Sequence, residues 1–123
     1  MAVRRFSLTI DVDAAGDATA YSPRVYGQVQ SISYVKDDYA NGVTFAITAE
    51  TTGETIWSEA AVNASTVRYP RAATATTAGV ASLYAGGGTA VNTRIALGGD
   101  RVKFVISAGG VSTGGTFHVV VDG

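Results

Sequence analysis

The chain of 123 residues has no cysteine. Disulfides and thiolate metal sites are therefore excluded, and stability must come from a packed core or from partners. Charge is also scarce: 15% of the residues are charged, against about 25% in an ordinary soluble domain. The formal net charge of −1 leaves no basic excess to neutralise phosphates. Nucleic-acid binding thus loses its main electrostatic support. No apolar run approaches the roughly 18 residues of a membrane helix. Arg4 and Arg5 stand near the start, but no apolar stretch follows them, so the sequence reads without a signal peptide and as made in the cytosol. Amphipathic helical periodicity is nearly absent.

What is present is apolar residue in quantity, 46% of the chain. That excludes a disordered polymer. The length suits a single domain spanning residues 1–123.

The apolar residues alternate. Phe6, Leu8, Ile10 and Val12 are separated by Ser7, Thr9 and Asp11, which is the period of a strand with one buried face. Asp13 to Asp17 forms a loop. Pro23 has no amide to donate, so a new strand is expected after it. Val25, Gly27 and Val29 share one parity, while Ile32 and Tyr34 have the other. This predicts a bulge near Gln30 or Ser31. Val43, Phe45, Ile47 and Ala49, then a turn at Gly53, then Ile56 and Trp57 predict a hairpin. Val67 and Tyr69 fit a short strand before Pro70. Ala78 to Ala85 fits a short helix or a strand. Gly98-Gly99-Asp100 reads as a turn. Val102, Phe104 and Ile106, followed by Phe117, Val119 and Val121, read as a second hairpin.

The total is seven to eight strands separated by Gly, Asn and Asp turns. This predicts an all-β, antiparallel, single-domain fold. Sandwich and barrel both fit the spacing; the sandwich, of jelly-roll type, is the reading adopted.

Catalytic patterns are weak. His118 is the sole histidine, and no Gly-x-Ser-x-Gly accompanies it. It lies on the polar parity of the last strand, which points to a sheet-face residue. Asp11, Asp13 and Asp17 around Gly16 begin like a calcium loop. Ala15 and Ser22 then stand where ligands are needed, so no metal is assigned. The glycine pairs lack the Gly-Lys-Ser/Thr and strand–turn–helix contexts of phosphate loops. Glu50, Glu54 and Glu59 fit strand ends better than a glycosidase pair. No catalytic residue and no cofactor is expected.

Arg68-Tyr69-Pro70-Arg71 is more informative. Tyrosine and arginine are enriched at binding hot spots, and this segment lies within an irregular stretch from Ala60 to Ala90. Tyr84 lies in the same stretch. Arg4 and Arg5 give the first strand a basic end. The candidate protein-contact residues are therefore Arg4, Arg5, Arg68, Tyr69, Arg71 and Tyr84. Trp57 and the tyrosines also allow a carbohydrate- or host-surface-binding reading.

Several blocks are family-like. They are Asp13 to Pro23, Tyr34 to Val43, Thr48 to Trp57, Val62-Asn63-Ala64-Ser65, Tyr69-Pro70-Arg71 and Gly115 to Val121. They are spread from Asp13 to Val121, and they resemble small structural proteins of tailed bacteriophages, a resemblance that extends over nearly the whole chain. The resemblance implies a non-enzymatic virion protein, assembled in the host cytoplasm. It implies first a capsid decoration (cement) protein, whose partner is the major capsid protein of the head. It also implies a homo-oligomer, a trimer or a dimer. A head–tail connector or minor tail protein is the competing placement. The family supplies no catalytic residues to carry over.

Overall fold

The computed structural model describes residues 3–73, 78 and 92–122. Among these the fold is all-β, with eight strands and no helix: β1 (Val3–Asp11), β2 (Ala18–Lys36), β3 (Val43–Ala49), β4 (Thr55–Val62), β5 (Thr66–Arg68), β6 (Arg71–Ala73), β7 (Asn92–Ser107) and β8 (Gly114–Asp122). All pairings are antiparallel. The alternation of apolar and polar residues becomes alternation of burial, cleanest in β3 and β8.

The long β2 serves as two strands. Residues Ala18 to Val29 pair with β7. Residues Gln28 to Lys36 pair with β8, and Ile32 to Tyr34 also pair with β5. The pairing thus runs inward from the ends: β1 with β8, the first part of β2 with β7, its second part with β5, and β3 with β4. Rolling up this antiparallel ribbon brings β8 beside β2 and β7 beside β3. Two four-stranded faces result, β1-β8-β2-β5 and β2-β7-β3-β4, linked by hydrogen bonds through β2. This is the strand order of a jelly roll.

The two faces lie against each other. β8 and β3 are three strands apart in the sheet order, about 14 Å if the sheet were flat. Yet the Phe117 and Phe45 rings are 5.0 Å apart, edge to face. Phe104, Tyr34, Tyr39 and Trp57 complete the aromatic centre. Aliphatic residues surround it, including Val29, Ile32, Val43, Ile47, Val102, Ile106 and Val119, all buried. This layer is one continuous core. One end is closed by loop-to-loop bonds: Gly109 N–H to the Gly16 carbonyl (3.0 Å), Ala40 N–H to Gly109 (2.8 Å) and Ser112 N–H to Asp13 (3.1 Å). The buried Tyr39 hydroxyl donates to the Ile10 carbonyl in the same region.

The bulge expected near Gln30 is present: the β2–β8 register jumps between Val29 and Ser31. The β3–β4 hairpin is present as well. Three expectations are corrected. The strand does not begin after Pro23. It runs through the proline as a register shift, where the Ser22 hydroxyl accepts the Val102 amide (2.8 Å) and so replaces the missing rung. Gly98-Gly99 is not a turn. It is a bulge within β7, with Gly99 at φ +75°, where Val25 faces Asp100 and Tyr26 faces Gly98. The last two strands are not a hairpin: β7 lies in one face and β8 in the other, with β2 between them in the sheet order. The expected element at Ala78 to Ala85 lies outside the described residues, apart from Ala78.

Candidate functional site

The candidate contact residues fall into two groups. Arg68 is committed to the molecule itself. Its guanidinium grips Glu59 with two bonds, Nε to Oε1 (2.8 Å) and Nη2 to Oε2 (2.9 Å). It also lies 5.8 Å from the centre of the Trp57 ring, whose Nε1–H donates to the same Glu59 (3.1 Å). The arginine of β5 thereby ties the corner to β4. Hydrogen bonding from Arg68 holds the Glu59 carboxyl below its usual range, against the opposing effect of burial and with help from Trp57. Trp57 is only 6% exposed. It is a core residue, so of the aromatics named for carbohydrate or host-surface binding only exposed tyrosines such as Tyr26 and Tyr69 stay accessible.

Tyr69, in contrast, is 62% exposed. Arg71 is exposed, and its Nη1 donates to the backbone carbonyls of Gln30 (3.1 Å) and Pro70 (2.7 Å). Across the β6–β7 ladder Arg71 stands opposite Arg94. Like charges in that position repel. Arg94 is offset by Asp122, at 2.7 Å. Asp122 in turn faces Val3 on one side and Gln28 on the other. A single band therefore crosses β6, β7, β2, β8 and β1. It brings Tyr69 and Arg71 to the same end of the sandwich as Arg4 and Arg5, which are also exposed. Arg4 and Arg5 project to opposite faces, since Arg4 faces the buried Val121 position and Arg5 faces Val120. Tyr84 lies outside the described residues.

Sequence reading missed Tyr26, Arg94 and Asp122. Tyr26 is 65% exposed and lies over the Gly99 bulge, close enough that a Cβ there would meet its ring at 2.8 Å. The signal for it was a tyrosine on the polar parity between Val25 and Gly27. Arg94 and Asp122 carried no sequence signal, because their contact joins strands 28 residues apart.

The other candidates take structural places. Ser7 Oγ and His118 Nδ1 lie 2.6 Å apart on the outer surface of the β1–β8 pair. No side-chain carboxylate bonds the imidazole among the described residues, so the arrangement stops short of a triad. Asp13 Oδ1 accepts the amides of Ala15 (2.9 Å) and Asp17 (3.1 Å), which makes it a loop cap. Among the described residues no cluster of metal-ligating side chains occurs. Glu50 pairs with Arg101, whose guanidinium stacks 4.3 Å from the Tyr21 ring centre. A shallow cleft of about 290 Å³ lies beside them, lined by Thr51, Glu54, Leu97, Gly99 and Asp100 among others. Its Asp100 carboxylate is already filled by the Thr51 amide and hydroxyl and the Arg101 amide. In comparisons with known proteins, the chain matches no family model and no curated protein.

Proposed function

We propose that this protein is a non-enzymatic structural component of a tailed-phage virion, a decoration protein that binds and stabilises the assembled head shell. One observation carries the reading. The exposed Tyr69 and Arg71 sit on a rigid two-faced core at the same end as Arg4 and Arg5. Exposed tyrosine and arginine on a rigid scaffold are the anchors that protein interfaces favour. The sequence blocks that resemble phage structural proteins supply the partner, a major capsid protein. A protein that binds the shell but not free subunits stabilises the shell by mass action, and repetition over symmetric sites turns modest contacts into avidity.

The test is binding of purified protein to emptied heads, followed by cryo-microscopy of the virion. Expected is density on the shell surface, with occupancy lost in the Tyr69→Ala/Arg71→Ala variant while its melting temperature is unchanged. Density confined to the neck or tail would replace this reading with the connector or tail placement. No density on the virion at all would overturn both.

A further inference from the structure

The two faces of the sandwich have four outer edges, and three of them are blunted against pairing. β5 has only three residues. β4 carries two register shifts and a residue, Ala61, at φ +56°. The first part of β2 is interrupted at Pro23 and shifts register twice. Short strands, bulges and prolines are the usual means of keeping an edge from recruiting another strand. β1 has none of them. It runs nine residues in unbroken register with β8, and its other edge pairs with no described strand.

The direction of its free groups follows from one bond. The Val12 amide donates to the Thr113 carbonyl (2.8 Å), continuing the β1–β8 register. Bonded and non-bonded pairs alternate along an antiparallel ladder. The even-numbered residues therefore bond toward β8. Val3, Arg5, Ser7, Thr9 and Asp11 turn their N–H and C=O groups to the open edge.

The charges of β1 are polarised. Arg4 and Arg5 open it, Asp11 closes it, and none of the three is in an ion pair among the described residues. Parallel association of two such strands would set like charges together. Antiparallel association sets opposite charges together, and register then matters. With the two-fold axis at Leu8, Arg5 faces the partner's Asp11, Ser7 faces the partner's Thr9, and Phe6 faces the partner's Ile10. Shifting the axis to Ser7 would face Arg5 with the partner's Thr9 and lose both charge pairs.

We infer that β1 pairs antiparallel with β1 of a second copy of this chain, with the two-fold axis at Leu8. The odd residues then form four bonded pairs and about eight backbone hydrogen bonds. Two β1-β8-β2-β5 faces join into one eight-stranded face. The half-buried Phe6 and Leu8 of each copy continue the apolar layer across the seam. The interface is isologous, so it closes at two copies and leaves no further edge of this kind. The pairing needs two copies of this chain and no capsid, so its failure leaves the shell-binding reading standing.

Sedimentation equilibrium at up to about 100 μM tests it. A dimer is expected. Asp11→Arg should weaken it about tenfold, because two attractions become two repulsions. Adding Arg5→Asp to that variant should restore it to within about threefold. Both side chains are exposed, so folding is preserved. A second test uses the absence of native cysteine. At the axis two Leu8 Cα atoms lie about 4.5 Å apart, within disulfide reach. Oxidised Leu8→Cys should run as a covalent dimer, and Thr55→Cys on the edge of β4 should not. A monomer at every concentration, or a dimer that ignores both the charge reversal and the Leu8→Cys cross-link, overturns the inference.

Discussion

Glu59 is the hinge of the β4–β5 corner, because Arg68 and Trp57 both converge on its carboxylate. Its carboxyl titrates below the ordinary glutamate value of 4.5. A depressed carboxylate adds stability above the unfolded value and loses it as pH falls through the folded one. The corner should therefore loosen below about pH 4.5, as read from melting temperature against pH. Glu59→Gln should flatten that part of the profile. Tyr34 gives the opposite edge of the pH range. Burial, and secondarily the charge of Asp37, push its hydroxyl up to about 12 from 10.0. Stability tied to this group is complete below pH 10 and drains away between pH 10 and 12. Tyr34→Phe should reduce that alkaline loss in a denaturant titration. Gly115 is required by closeness rather than by backbone angle. A Cβ there would sit 2.5 Å from the Tyr39 ring and 3.0 Å from the Tyr34 ring. Both rings are buried, so Gly115→Ala should cost about 1–3 kcal/mol in urea unfolding.

At the scale of elements, alternation was legible wherever a strand has one buried face. β1, β3 and β8 announce themselves in this way, and the parity change in β2 located its bulge. What alternation cannot carry is the identity of a strand's neighbour. β7 pairs with residues Ala18 to Val29 and Thr44 to Ala49, far away in sequence. The nearest strand, β8, looked like its partner and is not. Gly98-Gly99 misled for a related reason, since the same permissive backbone serves a turn and a bulge. The two glycines should now separate experimentally. Gly99 is at φ +75°, whereas a Cβ at Gly98 meets nothing within 4 Å. Gly99→Ala should cost about 1 kcal/mol and Gly98→Ala should fall within about 0.5 kcal/mol of wild type, both by chemical denaturation. Accessibility at the candidate positions was not legible from residue type alone. Tyr69 and Arg71 are exposed. Arg68 is consumed by Glu59, a partner reached only by turning the corner between strands.

At the scale of the whole molecule, the first described strand is paired with the last, and Val3 stands directly opposite Asp122. Paired residues of neighbouring strands lie about 5 Å apart. The two described ends of the chain are therefore neighbours, and sequence order is nearly a closed loop. A linker of about four residues should join them without strain. New ends can then be opened at Gly53, an exposed turn residue where a Cβ would meet nothing within 4 Å. Such a circular permutant should keep the native circular dichroism spectrum and unfold in one transition. The same adjacency has a practical reading. Cargo fused beside Val3 or Asp122 leaves from one spot, on the end that carries Arg4, Arg5, Tyr69 and Arg71, so a bulky passenger at either position should abolish the proposed shell binding.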